Sequence, residues 1–137
     1  MMNFVETSFW IYEHVRDLFY FLSLILKNML EKTYNPGKIL QIESAVEYQA
    51  GSIVSREIYR TEAGTLTVFA FDEGQGLSTH TAPFDAFVQV LDGESKITID
   101  NEEHVLKKGD LILMPTGHPH AVYAIKKFKM LLTMMKK

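Results

Sequence analysis

Gly74-Gln75-Gly76-Leu77-Ser78-Thr79-His80 and Gly109-Asp110-Leu111-Ile112-Leu113-Met114-Pro115-Thr116-Gly117-His118-Pro119-His120 decide how this chain folds. Glycines and prolines fall at the ends of short apolar runs, as a chain that folds back on itself repeatedly requires. Between the two stretches lie an apolar run to Leu91, a corner at Asp92-Gly93 and a polar hairpin around Asp100-Asn101. Each histidine follows a turn, so His80 and His120 are offered to one place.

Working outward, the remaining apolar runs read as short strands. Residues 39–42 suggest a short strand and residues 52–60 a longer one. Glu62-Ala63-Gly64 turns the chain into residues 65–71, where β-branched and aromatic residues alternate with smaller ones. Residues 72–76 read as a loop. Residues 86–90 are apolar on both faces, with Ala86, Val88 and Val90 sharing one of them. Strands over 95–100, 104–106, 111–114, 121–125 and 128–135 complete an all-β pattern.

The chain has 137 residues, 47% of them hydrophobic, which fits one domain with a real core. Its formal net charge of −3 offers no broad footprint for nucleic acid. Lys126, Lys127, Lys129, Lys136 and Lys137 form a local basic cluster that reads as water-facing strand and tail. Cysteine is absent. That removes disulfides, thiolate ligands and cysteine nucleophiles together, and it suits a cytoplasmic protein.

Residues 1–30 differ from the rest. Phe9-Trp10-Ile11-Tyr12 and the apolar run over 18–26 read as a helical extension, followed by the barrel domain over 31–137. Glu13, His14, Arg16 and Asp17 on one side and Lys27 on the other leave a run shorter than the ~18 to 20 apolar residues of a spanning helix, so a membrane span is not expected. A secretory signal fits poorly too. Three readings stay open: a helix packed on the barrel or a partner subunit, an interfacial helix, or an upstream extension with Met29 as the native start. Asn35-Pro36-Gly37 then reads as a turn.

The two quoted stretches resemble the two motifs of the cupin superfamily, whose fold is a double-stranded β-helix, a jelly-roll barrel. Gly74, His80 and Gly93 match the first motif, while Ala82 stands for its second histidine and Ala86 for its glutamate. Gly109, Pro115, Gly117 and His120 match the second, with Ala124 in place of its asparagine. The resemblance runs from about Lys32 to the C-terminus and is strongest to small single-domain bacterial cupins. It implies that Ala86 faces into the barrel and that N-terminal strands join a second subunit in a homodimer.

The resemblance also implies a divalent transition metal ion, which in such sites takes three or four protein ligands. Only His80 and His120 stand at ligand positions, so a third would have to be recruited from His118 or Asp85. His14 and His104 lie outside both motifs and read as structural. The expected function is a barrel that binds a small molecule, with a weak or partly lost metal site and no assigned reaction. Two alternatives follow from the family: a metal-dependent oxygenase, isomerase or decarboxylase, and a metal-free epimerase-like enzyme. The latter would use His80 or His120 as base and Tyr123 as acid.

Overall fold

A computed structural model describes residues 18–23 and 36–137. The chain divides into two compact units, Met1–Thr33 and Tyr34–Lys137. In the first, residues 18–23 are helical, and Leu18, Phe19, Tyr20, Phe21 and Leu22 are exposed. The rest of the helical extension expected over 1–30 lies outside the described residues, as does Asn35. Among the described residues no helix is long and apolar enough to cross a membrane.

In the second unit Pro36 and Gly37 make the expected turn, Gly37 at φ +78°. The strand expected over 39–42 does not form. A 3-10 turn, Ile42–Ser44, replaces it, closed by the Ser44 and Ala45 N–H groups on the carbonyls of Gln41 and Ile42. The physical reason is that these apolar residues dock onto a sheet face instead of joining a ladder. Leu40 and Ile42 pack on an outer cluster of Val46, Ile58, Val68 and Ala70, whereas Ile39 is left 93% exposed.

Nine strands follow: β1 Ile53–Thr61, β2 Gly64–Phe71, β3 Gly76–His80, β4 Asp85–Asp92, β5 Glu94–Ile99, β6 Glu102–Lys107, β7 Leu111–Met114, β8 His120–Ala124 and β9 Phe128–Met135. They form a five-stranded sheet, β1-β2-β9-β4-β7, and a four-stranded sheet, β3-β8-β5-β6. Every ladder is antiparallel. From β2 to β5 and again from β6 to β9 successive strands alternate between the sheets, which winds the chain into a jelly roll. Eight of the strands match the runs expected from sequence; β3 falls where only a loop and a motif were expected.

Period-two alternation sends one side of each strand into the space between the sheets. Phe71, Val88, Val90, Ile97, Ala124 and Phe128 meet there at 0–1% exposure, and the Phe71 and Phe128 rings stack with centroids 4.6 Å apart. The corner at Gly93 admits no other residue: φ is +77°, and a Cβ would stand 2.0 Å from the Lys127 carbonyl oxygen. On the outer side of the five-stranded sheet, Lys129 is 8% exposed and donates from Nζ to the Glu43 carbonyl at 2.7 Å. Nearby, the Tyr48 hydroxyl donates to Asp92 Oδ2 at 2.7 Å, and burial together with that carboxylate pushes the phenol well above its ordinary range. These bonds fasten the segment before β1 to the barrel.

Candidate functional site

The ends of β3, β5 and β7 and the starts of β4, β6 and β8 lie together at one end of the barrel, joined by residues 81–84, 100–101 and 115–119. His80 and His120 are direct partners in the β3–β8 ladder, just past an irregularity between Leu77 and His80. Their rings stand edge to face with centroids 4.5 Å apart. His120 alternates in phase with Val122 and Ala124, so it belongs to the inner face and is 3% exposed; His80 is exposed to solvent.

Both rings are oriented by the backbone. Nδ1–H of His80 donates to the Ser78 carbonyl at 2.7 Å, and Nδ1–H of His120 donates to the His118 carbonyl at 2.9 Å. In neutral rings bonded this way Nε2 carries the lone pair and is the atom left to accept or ligate. Neither Ser78 nor His118 could be recognised as an anchor from sequence, because the contact uses main-chain oxygens. Period-two spacing between anchor and ring is the only signal they leave.

The loop that delivers His120 is held from both sides. Its Thr116 donates from N and Oγ1 to Asp85 Oδ1 at 2.9 and 2.8 Å, and Gly117 N donates to the Ala82 carbonyl at 2.9 Å. The Thr116 N–H, seconded by its hydroxyl, holds the Asp85 carboxyl below the usual carboxylate range. On the other side Asp100 N donates to the Pro119 carbonyl at 3.0 Å, and the His118 ring pairs with the Asp100 carboxylate at 2.5 Å. Asp100 and Asn101 take φ +50° and +68°, the backbone of a tight two-residue hairpin turn.

Of the residues singled out in the sequence, the fold therefore brings His80 and His120 together. It places Asp85 in the β4 start as a loop clamp, also 3.3 Å from Lys137, and ties His118 outward to Asp100. Tyr123 is 47% exposed on the outward phase of β8, opposite to that of His120, with the Lys96 ammonium 5.9 Å from its ring centroid. Ala86 faces the barrel core as expected, 3% exposed, and Ala82 is half-buried in the loop before β4. Asp100 was not foreseen as a partner of this site.

The chemistry of the donor set can be tested against the metal that the fold suggests. Two imidazoles are present, and the positions of a second histidine and a carboxylate are methyl groups. Among the described residues no three His, Asp or Glu side chains come together in a way that could hold an ion. The residues do not fit a resident divalent ion of the usual three- or four-ligand kind.

Two wound sheets with paired histidines at one open end define a double-stranded β-helix barrel. A family model described as a cupin domain matches residues 67–135, and the chain belongs to the cupin family. A conserved protein of unknown function from Streptococcus pyogenes is 37% identical over 75% of this chain and 90% of its own, with a TM-score of 0.71. A cupin 2 conserved barrel domain protein from Leptotrichia buccalis is 40% identical over 71% of this chain but 47% of its own length, with a TM-score of 0.69. A cupin superfamily protein from Desulfitobacterium hafniense, 23% identical over 76% of this chain and 95% of its own, shares the fold with a TM-score of 0.71. Among curated proteins, none matches the chain.

Proposed function

We propose that this cupin binds a small organic molecule at the open end of its barrel, anchored by His80 and His120, and that it holds divalent metal only weakly. One observation carries the reading: two backbone-oriented imidazoles sit side by side at the barrel mouth with both Nδ1–H groups already used. The inward residues around them support it. Leu77, Ile99, Ile112, Leu132 and Met134 all pack against the core yet keep partial exposure. Apolar walls with a few convergent polar atoms are the usual make-up of a small-molecule site. A homodimer belongs to the same proposal, supported by β1, a nine-residue edge strand with a ladder on one side only among the described residues.

The experiment is a titration with a panel of small alcohols, amines and carboxylic acids, read by NMR at the Hε1 protons of the histidines. At least one member should shift His80 and His120 together, and His120→Ala should abolish the interaction. A panel that leaves both signals in place, or binding that survives His120→Ala unchanged, contradicts the proposal.

A further inference from the structure

Ala86, at the position where the family carries its carboxylate, has Met114 of β7 and Met134 of β9 as its two ladder partners. Directly opposed residues of antiparallel strands share a face. All three side chains accordingly belong to the barrel's inner core, with Met114 4% exposed and Met134 packed partly buried beside it. The row lies at the same end of the barrel as His80 and His120, since β7 ends and β4 begins where β3 ends and β8 begins. Two packed sheets are about 10 Å apart, a gap that a histidine and a methionine reaching from opposite sides together span. The row and the histidine pair thus stand on facing sheets at the same end of the barrel.

We infer that this end of the barrel is a site for a soft monovalent ion, Cu(I), bound by Nε2 of His80 and His120 and completed by the thioether of Met114 or Met134. The inference goes beyond the small-molecule reading and uses the same two histidines. Hard divalent ions want carboxylate and imidazole donors, three or four of them, and this set has been reduced to two. The thioether is the donor that selects Cu(I), imidazole serves copper as well, and Cu(I) is an ion content with two or three ligands. Both rings are already fixed through Nδ1–H to main-chain carbonyls, the support that ligating imidazoles generally have. His120 and Met114 are buried, and desolvation opposes a single positive charge far less than a double one.

The test uses the full chain under anaerobic conditions. Cu(I) affinity is measured by competition with a chromogenic Cu(I) chelator, and Ag(I) serves as a redox-inert probe in NMR with methyl-labelled methionine. The expected result is one ion per chain, with the methyl signals of Met114 and Met134 shifting together with His80 and His120 while the other methionines, out of seven, stay in place. Replacing both residues, Met114→Leu with Met134→Leu, conserves volume and should lower Cu(I) affinity at least ~10-fold without loss of folding. The inference is overturned if Zn(II) binds as tightly as Cu(I), if the double leucine variant binds Cu(I) like the parent, or if the shifted methionines are others. Running the organic panel on the double leucine variant separates the two proposals. Panel shifts at the histidines without Cu(I) binding to the parent would sink the copper site and leave the small-molecule site standing.

Discussion

The two ends of the barrel are built from the same strands with the same alternation, yet they differ in what the inward positions hold. At one end Phe71, Phe128, Val90, Ile97 and Ala124 fill the space between the sheets with almost no exposure. At the other, His120 and Ala86 face inward beside partly exposed aliphatic side chains, His80 is open to solvent, and the connecting loops are fastened by hydrogen bonds. Stability is concentrated where the core is closed. The other end is left open, and there a polar atom can face inward without being orphaned.

The comparison breaks most visibly at the closed end. Phe128→Ala removes a fully buried ring stacked on Phe71 and should destabilise the fold by about 3–5 kcal/mol, measured by urea unfolding. His80→Ala, at the exposed end, should leave the unfolding midpoint nearly unchanged. If the two variants lose stability equally, the division between the ends is wrong.

A smaller effect distinguishes the loop clamp by its pH dependence. Because the folded state holds the Asp85 carboxyl below its ordinary range, the clamp contributes stability above the usual carboxylate value near ~4 and loses it as pH falls through the lower folded value. In the series from about pH 6 to pH 2, Asp85→Asn should therefore have a flatter loss of stability than the parent. Identical acid limbs would show that Thr116 gains nothing from the charge.

The smallest change is expected deep in the closed end. The Ser95 hydroxyl is fully buried with no hydrogen-bond partner among the described residues, so Ser95→Ala should be neutral or stabilising by up to about 1 kcal/mol. A clear loss of stability would show that the hydroxyl has a partner, such as an internal water.

How much of this was legible in the sequence follows from how local each signal is. The turns at Gly37, Gly93, Gly109 and Gly117 were readable because left-handed backbone is a glycine property, and each does take positive φ. The inward phase of Ala86, Val88 and Val90 was readable because alternation fixes it. The run over 39–42 misled, since its apolar residues serve a tertiary docking face and no ladder partner is available to them. β3 was missed because Gly76-Leu77-Ser78-Thr79 has little apolar character; pairing with β8, not propensity, makes it a strand. In the site, the pairing of His80 with His120 was foreseen, whereas the Asp100–His118 and Asp85–Thr116 contacts join residues far apart in the chain and leave no pattern in it.

With alanine at the motif's second-histidine and carboxylate positions, His80 and His120 are left to offer a hard ion two imidazole donors. Calorimetric titration of the parent and of Ala82→His with Ala86→Glu using Zn(II) tests this most directly. The parent should bind weakly and release the ion on dialysis, and the double variant should bind one ion at least ~100-fold more tightly, because four preoriented donors replace two. A parent that keeps stoichiometric Zn(II) through repeated dialysis, or a folded double variant that binds no better than the parent, would contradict the account.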